Sequence, residues 1–329
     1  MRGMKSILCA LPAAAILAAS LCQAAPLKLG KTELAKDTAW SGEIEVSGDV
    51  FVPPGVTLTV APGTRVVFKK IDGTSDQNMF GTDNPYYAQA EIVVRGKLIA
   101  KGTAQQPIVF TSAEKKPQPS DWGAINFLGC SGNLIDHCKI SYAYNGVHAH
   151  AAQVTITNSE FFNNAVGISV KKEDEVAGVE WYGREADITV TGNYIHDNKG
   201  GLNFRLSRAV ITHNTITGNK FFGIWQKGAC RGEISHNEIS GNHKGIYLFR
   251  SQGTEITQNN IHDNGDYNIA IADEQERDQP APFNWFGTSD RKKIAEGIFD
   301  HNSDPTVARV LVEPFRQEPV PDAGAGKGR

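Results

Sequence analysis

Lys171, Arg205 and Lys227 are cations set in short apolar runs, each at an alternate position. Asn203 precedes Arg205 by two residues, Trp225 precedes Lys227 by two, and Tyr247 precedes Phe249 by two, with Arg250 next. In a strand, residues two apart share a face. The residues between them, Val170, Phe204, Gln226 and Leu248, then point the other way, and all but Gln226 are apolar. Aromatic faces stack on sugar rings, and Lys or Arg holds carboxylates such as those of uronates. This makes Lys171, Asn203, Arg205, Trp225, Lys227, Tyr247 and Arg250 the candidate ligand-binding set. A plain strand face also carries Lys and an occasional aromatic, but an exposed Trp beside an exposed Tyr favours binding. Directly after Lys171 comes "KEDEVAGVEWYGREA", Lys172 to Ala186. Such a loop on a repetitive scaffold often carries function, and Trp181, with Tyr182 and Arg184, is placed as one wall of a groove.

Other chemistry finds less support. Glu173, Asp174 and Glu175 read as a solvated acidic loop. His148 and His150 point the same way on one strand, and His213 and His236 occupy equivalent places in neighbouring repeats. Neither pair has a third ligand, since their neighbours are Ser169 and Lys171, or Gly192 and Gln258. "DHNSDP", Asp300 to Pro305, begins like a calcium loop, but Pro305 stands where Gly is needed and Leu311 where the closing Glu belongs. No metal site is assigned. No Gly-rich phosphate loop, Ser nucleophile elbow or Cys-His pair appears, so no catalytic residue is assigned.

The elements that position these residues are repetitive. "ITHNTITGNKFFGI", Ile211 to Ile224, returns as "ISHNEISGNHKGI", Ile234 to Ile246. The first Asn of this pattern, or its substitute, falls at Cys138, Ser159, Asn193, Asn214, Asn237 and Asn259. The steps are 21, 34, 21, 23 and 22 residues, and the long one holds the Lys172–Ala186 insertion. A period near 22 with β-branched residues, Asn and Gly suits one coil of a β-solenoid. Ile columns stack inside, and Asn at the turns takes left-handed angles and bonds from coil to coil. A second insertion, Asp72 to Ala90, carries Asp76, Asp83, Tyr86 and Tyr87, and its place relative to the face stays open.

Arg2 and Lys5 precede an apolar stretch from Ile7 to Leu21, too short for a comfortable membrane span. Cleavage after Ala24 fits an export signal. Lipidation at Cys22 is less well supported, because bulky Leu21 precedes it. Removing the leader takes two cations and no acid, so the net charge of −3 becomes −5. That argues against nucleic acid as partner. No other segment reads as a membrane span, so a periplasmic or secreted protein is expected. Cys130, Cys138 and Cys230 survive cleavage. An oxidising compartment permits a Cys130–Cys138 bridge, although three small buried side chains is the preferred reading.

The strand-and-turn blocks "WSGEIEVSGDVFVPPGVTLTVAPGTRVVF" (Trp40 to Phe68), "EIVVRGKLIAKGTAQQPIVFTS" (Glu91 to Ser112) and "WGAINFLG" (Trp122 to Gly129) continue the coils. With the Asn-Ile repeats and the closing segment Asn284 to Phe315, they resemble the secreted bacterial right-handed parallel β-helix repeat proteins of pectate-lyase-like fold. The resemblance implies an all-β solenoid with N- and C-terminal caps. Residues 25–39 form a lead-in, 40–283 the helix and 284–316 a cap with a short helix from Arg291 to Phe299. Residues 317–329 are expected to be disordered. The fold hosts many activities, and three readings stay open. The first is binding of an anionic polysaccharide. The second is a polysaccharide lyase or epimerase on the same face. Lyases of this fold use clustered carboxylates for Ca2+ with an Arg or Lys base, which leaves Ca2+ the only cofactor to consider. A lyase base needs a depressed pKa, and the Asp-Pro-His-Asp signature of related alginate epimerases is absent. The third is a scaffold or maturation factor that binds protein. Some similar β-helix proteins assist copper-site assembly in nitrous oxide reductase. A copper handler favours Met, Cys and His clusters, and Met79 is the only Met after the leader.

Overall fold

The computed structural model describes residues 25–84, 86, 89–272 and 274–326. The expected leader, with Cys22, lies outside them. The repeats wind into a parallel β-helix. One face carries ten parallel strands, from Leu27–Leu29 to Asn260–His262. A second face includes Trp122–Leu128, Ala143–His150, Val166–Lys171 and Gly200–Arg205. A third includes Gln153–Thr157, Asp187–Thr191 and Arg208–Thr212. Phe222–Ser235 and Lys244–Thr257 run through the second and third faces without a break.

The apolar columns stack as the periodicity predicts. Val147, Ile168, Leu202, Ile224, Ile246 and Ile269 are register partners from coil to coil, and all are fully buried. Each such side chain contributes about 1.5–3 kcal/mol by leaving water. The Gly that precedes five of these six residues has a steric reason. A Cβ on Gly146, Gly167, Gly201, Gly223 or Gly245 would come within 2.3–2.8 Å of a carbonyl oxygen on the next coil.

The ladder Asn residues bond from coil to coil as expected, but they are not themselves left-handed. The left-handed residue is the one before each ladder position: His137, Asn158, His213, His236 and Gln258, with φ between 49° and 55°. The Asn side chain instead turns inward and reaches the neighbouring coil. Its Oδ1 accepts the preceding coil's backbone N–H, at 2.9 Å for Asn193–Asn214, Asn214–Asn237 and Asn237–Asn259. Asn284 closes this ladder by accepting from Asn259, so the segment read as cap supplies its last rung. A parallel second ladder runs through Asn164, Asn198, Asn219, Asn242 and Asn264.

Three boundaries move. Leu27–Leu29 and Thr38–Trp40 already pair with the next coil, so residues 25–39 belong to the solenoid. The closing helix is Arg291–Glu296, after which Ile298–Phe299 pairs with Ile269 and Ala270. The tail expected to be disordered lies along the ten-stranded face as far as it is described. Val320 exchanges two hydrogen bonds with the Asn260 side chain, and Ala325 N–H donates to Thr215 Oγ1 at 3.0 Å.

Gln226 is the exception inside. It is fully buried in the column with Phe204 and Leu248, and neither side-chain polar atom has a partner among the described residues. Leaving such groups unbonded costs about 1–3 kcal/mol. Gln226→Leu is therefore expected to raise the urea-unfolding free energy by about that amount. A loss of stability on the same substitution would show that the amide is satisfied in solution.

Candidate functional site

The outward columns of the second face have the register expected from alternation. Ser169, Asn203, Trp225 and Tyr247 are successive partners, as are His150, Lys171, Arg205, Lys227 and Phe249. Ser169 Oγ donates to Asn203 Oδ1 at 3.1 Å. A groove of about 670 Å³ runs over these strands, with Lys171, Asn203, Arg205, Lys227, Phe249 and Arg250 among its lining. Arg250 enters it from a left-handed turn, φ 50°.

Its cations are not equivalent. Lys171 Nζ meets Glu175 at 2.5 Å. Arg205 binds Asp174 and also Glu175, at 3.1 Å to the latter. Arg250 pairs with Glu274. Lys227 has no ion pair among the described residues, and its Nζ lies 3.4 Å over the Trp225 ring. Burial, reinforced by the charges of Arg205 and Lys171, pulls Lys227 down to about 8. Trp225 is in turn flanked by Phe222 at 5.3 Å and Tyr247 at 5.5 Å. The indole supports an ammonium group rather than offering an open platform to a sugar ring.

Trp181 is not on the groove wall. The insertion folds back over the preceding coils, where Trp181 is 6% exposed and packs with Tyr86, Val93, Leu128 and Ala151. The guanidinium of Arg95 covers its ring at 4.1 Å, and Arg184 donates to Gly129 O at 2.8 Å. Gly129 has to be Gly, because a Cβ there would meet Trp181 at 2.6 Å. The Asp72–Ala90 insertion meets the other one over this face, through Tyr86.

Where they meet lies a polar cluster that the sequence reading missed. Glu173, taken as solvated, is fully buried. Its Oε2 accepts from Tyr86 Oη at 2.6 Å and His150 Nδ1 at 3.0 Å, and its Oε1 accepts from the N–H groups of Glu175 and Val176. Burial alone would raise its pKa, but these donors together hold it well below the usual carboxylate range. Burial outweighs the carboxylate for His150 and lowers it, so a neutral imidazole donates to an ionised Glu173. Burial lowers His148 as well, and His150 Nε2 lies 3.0 Å from a His148 ring nitrogen. A His-x-His pair facing outward, with an acid one coil later, was the available signal. Among the described residues, no three His, Cys, Asp or Glu are placed to hold a metal ion. Cys130, Cys138 and Cys230 are buried free thiols, so the permitted Cys130–Cys138 bridge is absent.

Residues 111–286, more than half of the chain, match the family described as "Periplasmic copper-binding protein (NosD)". The chain belongs to the NosD family. The match covers the Asn ladders, the groove and the insertion after Lys171, and stops short of the closing helix. Comparison with curated proteins yields no match. Among solved structures, two variants of the periplasmic alginate epimerase AlgG share 11% and 12% identity with this chain, each with a TM-score of 0.37. They cover 80% and 85% of it, and it covers 70% and 73% of them. A further AlgG structure has a TM-score of 0.32 at 12% identity, covering 85% of this chain and 74% of its own. Likeness at this level bears on neither site nor reaction. No helix among the described residues is long and apolar enough to cross a membrane.

Proposed function

We propose that this member of the NosD family is a periplasmic protein that binds an anionic polysaccharide in the groove over Lys171, Arg205, Lys227 and Arg250. The observation that carries this reading is Lys227. A half-buried ammonium group, depressed by burial and by two neighbouring cations and without a carboxylate of its own among the described residues, gains stabilisation when an anion arrives. Asn203 and Ser169 supply polar floor for sugar hydroxyls. Glycan-array binding by the mature protein, beside Lys227→Gln, tests the reading. Acidic glycans are expected to bind, and the variant to lose about 1.5–3 kcal/mol, the worth of a charge-assisted hydrogen bond. Absence of binding by either protein would sink the reading and turn attention to protein partners.

The same residue favours a second reading. An amine pulled down to about 8 holds a neutral fraction near neutral pH and is able to abstract the proton beside a uronate carboxylate. A lyase would then release unsaturated uronates with rising ultraviolet absorbance, and a flat trace with a bound polymer leaves binding alone.

Copper, in the family's description, does not fit the donors found here. His148 and His150 are sealed against each other and Glu173, the three thiols are buried, and Met79 is the only Met after the leader. Two nitrogens with no third donor placed to join them among the described residues, under two packed insertions, make a poor copper site.

A further inference from the structure

Lys171, Arg205 and Lys227 are direct register partners on three consecutive coils. Their Cα atoms therefore climb the solenoid at the strand spacing, about 4.8 Å. On the next coil Phe249 takes that position, and Arg250 beside it lines the same groove. A polyuronate carries one carboxylate per sugar residue, so a linear chain lying along the axis offers a row of anions to this row of cations. Nucleic acid sets its charges at about 3.4 Å per strand of a duplex, out of step with the coils.

Two resident anions already sit on the first two rungs, while Arg250 is paired with Glu274. Glu175 binds both Lys171 and Arg205, and Asp174 binds Arg205. Their side chains are 37% and 30% exposed, so they are free to swing into water. The residue before them, Glu173, is anchored beneath the insertion. Among the described residues, the third rung, Lys227, has no such anion.

We propose that the groove takes a linear polyuronate along the solenoid axis, one carboxylate per coil, and that Asp174 and Glu175 stand in for two of those carboxylates in the free protein. This deepens the polysaccharide reading and rests on it. A short ligand engages Lys227 alone. A longer one displaces Glu175 and Asp174 from Lys171 and Arg205, exchanging internal pairs for ligand pairs.

Calorimetry at fixed ionic strength tests this, using the mature protein and galacturonate oligomers of one to six residues. Their methyl esters, a polyphosphate of matched charge and the Asp174→Asn, Glu175→Gln double variant complete the set. Affinity is expected to rise about five- to tenfold per residue up to four residues and then level off. Esters are expected not to bind. The double variant, its folding checked by a thermal melt, is expected to bind the tetramer about tenfold more tightly. Affinity independent of length would overturn the ladder and leave anionic-glycan binding standing. Equal binding of polyphosphate would overturn the commitment to uronates. Unchanged affinity in the double variant would remove the stand-in role. Binding of no oligomer by either protein would remove the polysaccharide reading itself.

Discussion

Asn237→Ala is expected to destabilise the coils around it by about 3–5 kcal/mol, as the loss of a buried hydrogen-bond network does. The side chain is fully buried. Its Nδ2 donates to Ile211 O at 2.7 Å, and to Ser235 O and Asn259 Oδ1 at 2.9 Å. Its Oδ1 accepts from Asn214 N–H at 2.9 Å. Alanine leaves that N–H and the facing carbonyl groups without partners in a space that water does not reach. Asp keeps the acceptor but loses both donors and buries a charge, so Asn237→Asp is expected to be worse. Asn203→Ala, at a half-buried surface position, is the control and is expected to cost under about 1 kcal/mol. A solenoid's stability is close to a sum over repeats and their interfaces. The loss is therefore expected as an early urea transition with lost hydrogen-exchange protection at the Asn214 amide. Retained protection there, with a change below about 1 kcal/mol, would show that the ladder is replaceable by packing.

The same ladder shows what was legible in the sequence. Ile, Gly and Asn recur because each coil meets its neighbour in one register, so the columns could be aligned without coordinates. The shared outward register of Lys171, Arg205 and Lys227, and of Asn203 and Trp225, followed from strand alternation alone. Asn284 escaped because its coil lacks the flanking Ile pattern, although its side chain does the same work as Asn259. Trp181 was misplaced because the direction in which a loop folds depends on distant partners, here Gly129 and Arg95. Glu173 was misread because three adjacent acids look solvated until the chain around them is known. The tail was misread because Pro, Gly and Ala lower the expectation of order. Here small residues permit close approach instead: a Cβ on Gly324 would meet Thr215 Oγ1 at 3.0 Å. Depression of Lys227 depends on burial and on Arg205 and Lys171, one and two coils away, and only the folded chain assembles them.

Glu173→Gln is expected to cost about 3–5 kcal/mol, because at least two charge-assisted hydrogen bonds to a buried carboxylate, about 1.5–3 kcal/mol each, are lost. The amide keeps the shape, but its NH2 group faces the donors that a carboxylate oxygen satisfied. It meets either the Glu175 and Val176 N–H groups or Tyr86 Oη and His150 Nδ1. Either way, N–H groups are left facing each other. The damage is expected to be local, because Glu173 ties both insertions to the strand face. Limited proteolysis at pH 7 should cut within residues 172–186 of the variant and spare the parent. The pH dependence follows from the depressed carboxyl. The unfolded chain takes up that proton first, so the carboxylate's contribution is fully present above its ordinary value of 4.5 and is lost as pH falls below it. The gap between parent and variant should therefore be widest near neutrality and close in acid. Comparing the two isolates this effect from Asp49. Burial pushes Asp49 up to about 7, so its contribution runs the other way, present below 3.8 and lost as pH rises through about 7. A variant as protease-resistant as the parent at pH 7 would mean that packing of Trp181 against Gly129 and Arg95, not the Glu173 carboxylate, holds the insertion down.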